Sequence, residues 1–385
     1  MTVTEIMISA IRAQVCGIKD INYGEISQEA MRSLYTLSKS HDMTHLVFAE
    51  LSKRNMLTDG NEISQKFRKQ HMLAILRHER LHYEYGELCR VLEEASLPFL
   101  PLKGSVLRQY YPEPWMRTSC DIDILVHEND LEQAIECLRS TLHYKVDTKG
   151  SHDVSLFSEN GVHLELHYDL VEDEIANNCK RILQNAWKYS HVKSDTAHHH
   201  QFSDEMFYFY HIAHMAKHFE NGGCGIRPFL DLWILEHSVE HDAIKRDELL
   251  REGNLLTFAN SVRQLSEVWF GNRAHNDTTL QMEKYLLFGG VYGSIQNRVA
   301  IQQFKQGGKL RYILSRIFIP YDSIKFHYPI LQKHRWLTPI MEVRRWCKLI
   351  FCGGLKRSVT EINATATVSS ETQTSTRELL DKIGL

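Results

Sequence analysis

The stretch Asp121-Ile122-Asp123-Ile124-Leu125-Val126 decides the reading of this chain. Acid and aliphatic side chains alternate through its first half. Successive side chains of a strand point to opposite faces, so Asp121 and Asp123 share one face while Ile122 and Ile124 enter a core. Carboxylates placed side by side repel each other. A solvated outer face tolerates this pattern without cost, so the pair alone carries little; a site for divalent cations, the common solution in phosphoryl and nucleotidyl transfer, requires it.

The neighbouring sequence changes the balance. Upstream, Leu97-Pro98-Phe99-Leu100-Pro101-Leu102 is apolar but too punctuated by proline for a helix, and reads as a short strand. A tight turn, Lys103-Gly104-Ser105, follows it. Val106 to Tyr111 then fits a short helix, which Pro112 and Pro114 end. Backbone amides at such a turn, with the positive end of the helix, can hold phosphate oxygens, and Gly104 permits close approach. Downstream, Asn129 or Asp130 is placed to cap a helix whose apolar face is Leu131, Ala134, Ile135 and Leu138. Val154 to Phe157, Glu159-Asn160-Gly161 and Val162 to Leu170 form the clearest hairpin signal, because Asn-Gly accepts positive φ. The second strand of that hairpin carries Glu165, His167 and Asp169 on one face. If it neighbours the Asp121 strand, Glu165 supplies a third carboxylate, with Asp169 as the substitute.

The remainder of the 385 residues reads as helix. Ile8, Ile11 and Val15 recur at helical spacing, as do Phe67, Ala74, Leu81, Leu88 and Leu92, so residues 1–96 form an N-terminal helical region. Residues 97–171 form a small mixed sheet with helices on one face, and 172–310 a further helical domain that turns at Asn221-Gly222-Gly223-Cys224-Gly225. Residues 311–357 are a basic helical segment: from Lys309 to Arg357 eleven Lys or Arg face two acids, Asp322 and Glu342. An anionic acceptor, an acidic partner or a membrane surface would suit it, as would no special partner. Residues 358–385 are rich in Ser and Thr, the composition of a flexible tail, with a short helix at Glu378 to Ile383. The fold class is α+β.

Composition excludes several classes. With 43% hydrophobic residues the chain can bury a sizeable core, and a net charge of -3 is unsuited to coating nucleic acid. Eight cysteines without a C-x-x-C pair suit a reducing cytosol. No stretch is apolar enough to span a membrane, and residues 1–20 lack a signal-peptide pattern, so the expected location is the cytoplasm.

Taken together, Pro98 to Gly104, Tyr111-Pro112-Glu113-Pro114, Arg117, Asp121 to Val126 and Leu164-Glu165-Leu166-His167 resemble a bacterial family of uncharacterised nucleotidyltransferases in the DNA polymerase beta superfamily. The likeness extends into His214 to Phe219 and Phe229-Leu230-Asp231-Leu232. It implies a polymerase-beta-like core between helical regions, with Asp121, Asp123 and Glu165 holding catalytic Mg²⁺ (or Mn²⁺) and Gly104 with Ser105 contacting the triphosphate. Lys103 and Arg117 are candidates to neutralise phosphate charge. Lys217 and His218 are candidates to contact nucleotide. The implied reaction moves a nucleoside monophosphate from a nucleoside triphosphate to an unidentified hydroxyl-bearing acceptor: a small molecule, a sugar or a protein. A catalytically inactive nucleotide-binding or scaffold protein with the same fold is the alternative.

Other signals have plainer readings. His211, His214 and His218 share a helical face and follow His198-His199-His200, but no Cys or Asp nearby completes a transition-metal ligand set. Lys103-Gly104-Ser105 lacks the upstream glycine of a P-loop. Asp231 is a structural partner for an arginine such as Arg227. No basic, aromatic groove for a template is visible outside the C-terminal segment.

Overall fold

Seven strands are described in the computed structural model: β1 (Phe99–Pro101), β2 (Asp121–Val126), β3 (Lys145–Lys149), β4 (Asp153–Phe157), β5 (His163–His167), β6 (Ser190–Val192) and β7 (His200–Phe202). The structure describes residues 1–385 except 19, 20, 59, 173–176, 288, 320, 322, 323, 326, 327 and 352–369. The main sheet has the order β1-β2-β5-β4-β3, and only its β2–β5 pair is parallel. In that pair Asp121 lies opposite His163 and Asp123 opposite Glu165. The hairpin joining β4 to β5 turns at Gly161, which alone in the turn takes positive φ, at 73°.

Helices surround this sheet unequally. The helices are α1 (Val3–Val15), α2 (Gln28–Ser40), α3 (Thr44–Lys53), α4 (Glu62–Glu94), α5 (Lys103–Leu107), α6 (Leu131–Leu142), α7 (Asn177–Leu183), α8 (Asp204–Glu220), α9 (Arg227–Ser238), α10 (Ala243–Glu252), α11 (Leu256–Phe270), α12 (Asp277–Leu287), α13 (Ile295–Lys305) and α14 (Lys309–Ile317). Three further helices, Ile330–Lys333, Thr338–Phe351 and Ser370–Ile383, follow. One core joins Ile122, Ile124, Leu164 and Leu166 of the sheet to Leu88 and Leu92 of α4 and to Leu131 and Leu138 of α6. The aliphatic half of the alternating strand therefore has helices against it, as its periodicity requires. The acidic half meets Lys103 of α5 and, at His167, the α8 side chains Tyr210 and His214.

Several local expectations are corrected. Helix α5 begins at Lys103 rather than after Ser105, with Lys103 itself at φ 42°. Asp130 precedes α6 without a side-chain cap, because Glu128–Asp130 winds a short 3₁₀ turn into the helix instead. The N-terminal and central helical regions are not separate packing units. Ile11 of α1, Leu46 of α3, Phe209 of α8 and Val262 of α11 share a second core, to which Phe67 at the start of α4 also belongs. Leu379, Leu380 and Ile383 are buried in that same core, so the helix expected at 378–383 starts earlier, at Ser370, and is docked rather than free. The expected flexible tail over 358–369 lies outside the described residues.

A buried ion pair ties the loop entering β2 to helix α9. Arg117, in the loop entering β2, donates Nη2 to Asp231 Oδ2 of α9 at 3.0 Å, and Tyr111 donates its hydroxyl to Asp231 Oδ1 at 2.7 Å. Arg227, the expected partner of Asp231, pairs with Asp42 instead. Removing one partner of a buried pair leaves the other charge uncompensated. Asp231→Ala should therefore lose about 3–5 kcal/mol of stability in urea unfolding, whereas Arg117→Met combined with Asp231→Leu should lose clearly less than the sum of the single changes.

Candidate active site

The polar face of β2 and β5 gathers titratable groups because parallel pairing puts residues of matching parity side by side. Donor atoms of Asp121, His163 and Glu165 lie within 4.8 Å of one another, as do those of Asp123, Glu165 and His167. Glu165 belongs to both groups. His163 was not singled out from the sequence, although it stands two residues before Glu165 and shares its parity. Its Nε2 is 2.7 Å from Ser155 Oγ on β4, which fixes the ring.

Two cations balance the carboxylates. Lys103 donates Nζ to Asp123 Oδ1 at 2.9 Å, and His167 Nε2 lies 3.2 Å from the same oxygen and 3.5 Å from Glu165 Oε2. Burial opposes charge on Lys103, Asp123 and His167, yet the contacts outweigh it. The Asp123 carboxyl is held far below the usual carboxylate range by Lys103 and His167 despite its burial. His167 is raised to about 9, because its hydrogen bonds to Asp123 and Glu165 overcome desolvation. Asp121 behaves oppositely: burial, then the nearby Asp123 and Glu165, raise its carboxyl. The left-handed backbone at Lys103 is costly for a residue with a Cβ, and such strain clusters at functional sites.

The turn at the start of α5 supplies a second, electropositive side. Arg108 is buried and donates to Ser119 Oγ at 2.6 Å and weakly to the Arg117 carbonyl. Among the described residues it forms no ion pair. Burial, then the like charge of Arg117, lower it to about 10. Ser105 Oγ is likewise buried and has no hydrogen-bond partner among the described residues. Ser105 and Arg108 are three residues apart on a helical turn, a spacing that brings side chains together. That spacing was available in the sequence as a signal for Arg108.

A family model described as an uncharacterised nucleotidyltransferase matches residues 27–271, well over half the chain. The chain belongs to this family. No curated protein and no solved structure matches it. The matched span of this nucleotidyltransferase contains the sheet, the turn at Gly104 and helices α8 and α9.

Within the nucleotidyltransferase, the remaining expected site residues fall into different places. Arg117 is not presented to the acidic face: it is buried against Asp231, and a Cβ at Gly104 would come within 2.7 Å of its Nη1. The glycine is thus required by the packing of Arg117, whatever it allows a ligand to do. Asp169 lies beyond β5, accepting from its near neighbour Val171 N at 3.0 Å, and belongs to neither metal-capable group. Helix α8 covers this end of the site: a small pocket is lined by His167, Asp169, Glu172, Tyr210 and His214. Lys217 is ion-paired with Glu172. His218 Nε2 is 3.1 Å from His214 Nε2, and burial, then Lys217 and Lys103, lower His218 to about 4, which leaves its ring neutral. His211 contacts the Pro228 carbonyl. Among the described residues, the histidines of α8 and His198-His199-His200 join no metal-capable group.

The raised His167 pKa makes stability pH-dependent in metal-free protein. A folded value of about 9 against the ordinary 6.5 contributes stability that is complete below pH 6.5 and lost as pH rises through 9. Urea midpoints of metal-free protein should fall across that window, and His167→Gln should flatten the fall.

Proposed function

We propose that this nucleotidyltransferase moves a nucleoside monophosphate from a nucleoside triphosphate to a hydroxyl-bearing acceptor, with the two-carboxylate strand chemistry of the polymerase beta superfamily. The observation that carries this reading is the juxtaposition of two opposite needs. Asp121, Asp123 and Glu165 crowd oxygen donors together, while Arg108 is a buried guanidinium in no ion pair among the described residues, with the Asp121 carboxylate acting on it only from beyond contact. Unpaired buried charge is expensive, and a phosphate oxygen would complete it.

The donor set fits divalent cations: carboxylate oxygens suit Mg²⁺ and Mn²⁺, and the imidazole of His163 shifts the preference towards Mn²⁺. Such cations, bound by Asp121, Asp123 and Glu165, would activate the attacking oxygen and stabilise charge on the departing pyrophosphate. The chain's own groups do the rest. Arg108 and the Ser105 hydroxyl hold the phosphates. The acceptor oxygen attacks the α-phosphorus in line, the bond to the β-phosphate oxygen breaks, and the acceptor's proton passes to a carboxylate. Lys103, whose ammonium pairs Asp123 here, would also answer incoming negative charge.

That ion pair also supports a second reading. An ammonium already balancing Asp123 is what a catalytically inactive nucleotide-binding or scaffold protein would retain. Incubation with α-labelled triphosphates, Mg²⁺ or Mn²⁺ and a cell extract separates the two. Transfer should be seen with wild type and drop by at least ~100-fold in Asp123→Ala. Arg108→Ala should weaken triphosphate binding by about 10- to 100-fold, the value of a charge-assisted hydrogen bond. Equal binding by wild type and Asp123→Ala with transfer by neither would select the scaffold.

A further inference from the structure

The C-terminal basic segment shows a feature that the transferase reading does not use. Helix α14 leaves Leu310, Leu314 and Ile317 exposed, with Leu310 at 77%. These positions are spaced i, i+4 and i+7, which is one helical face. The pattern repeats at Trp336, Ile340 and Val343, running from the 3₁₀ turn Arg335–Leu337 into the helix Thr338–Phe351, with Trp336 72% exposed. The two helices are tied to each other: Trp346 Nε1 donates to the Ile317 carbonyl at 2.9 Å, and Ile319 N donates to Glu342 Oε1 at 2.7 Å. Around the apolar positions stand Lys309, Arg311, Arg335, Arg344 and Lys348, all exposed. Glu342 is buried against Arg345, so among the described residues of 309–351 no carboxylate is exposed.

We propose that this face lies on an anionic lipid surface, with the aliphatic and tryptophan side chains entering the acyl boundary and the cations meeting headgroup phosphates. Exposed apolar stripes on basic amphipathic helices, with a tryptophan at their edge, are what interfacial binding requires. The charge pattern decides against the other occupants. A second copy of the chain would bring like charges face to face. A nucleic acid would satisfy the cations but offers no apolar phase for Leu310, Leu314, Ile340 and Val343. Among the described residues no helix is long and apolar enough to cross a membrane. This proposal stands apart from the nucleotidyl transfer reaction and survives if that reading fails.

Flotation of the full chain with vesicles of phosphatidylglycerol and phosphatidylcholine, against phosphatidylcholine alone, tests it. Binding is expected only to the anionic vesicles, with release at 1 M NaCl, where the Debye length falls to about 3 Å. Trp336→Glu combined with Ile340→Glu should reduce vesicle partitioning by at least ~10-fold, and so should Arg344→Glu with Lys348→Glu. All four positions are exposed, so an unchanged melting temperature confirms folding. Absence of binding to anionic vesicles overturns the proposal. So does a concentration-dependent dimer abolished by the same variants, or binding to a single-stranded oligonucleotide that survives Trp336→Glu with Ile340→Glu while vesicle binding is absent.

Discussion

Crowding of negative charge on one face of two adjacent strands is the constraint that the rest of the structure answers. Asp121 and Asp123 on β2 meet Glu165 on β5 because the pairing is parallel and in register. A slip of one residue would turn those acids into the core formed by Ile122, Ile124, Leu164 and Leu166, so the apolar face fixes where the acidic face must be. The carboxylates then need positive charge close by. Lys103 and His167 provide it, and the left-handed backbone at Lys103 is part of what aims that ammonium at Asp123.

The arginines beside the turn divide into two kinds. Arg117 is neutralised by Asp231 and acts as a strut between the loop entering β2 and helix α9. Through Gly104, whose missing Cβ leaves room for the guanidinium, the same strut sets the path of the turn. Arg108 sits close by, hydrogen-bonded among the described residues to a hydroxyl and a carbonyl. Two buried guanidinium groups near each other, only one of them paired with Asp231, make this side electropositive. The surrounding helices matter here because Asp231 belongs to them: the central helical core does not merely enclose the sheet but holds the turn in position.

Much of this was legible in the residues. Alternation in Asp121 to Val126, the Asn-Gly hairpin and the parity of Glu165 identify the sheet face and its acids, because a strand's period of two ties sequence position directly to side. His163 obeys the same rule and was recoverable. The burial of Arg117, a candidate to neutralise phosphate charge, was not legible because a lone arginine near acids carries no mark of it; its partner, Asp231, is over a hundred residues away in sequence. The docked helix Ser370–Ile383 was hidden by its polar composition, since only Leu379, Leu380 and Ile383 reach the core.

The sequence by itself determined the local elements, the acidic pair, and the basic character of the C-terminal segment, since periodicity and composition act over a few residues. Only the tertiary structure decided which cations answer which carboxylates, that the N-terminal and central helices share one core, and which apolar positions of the basic helices stay in solvent. Those outcomes depend on the packing of residues distant in the chain, and no local pattern records them.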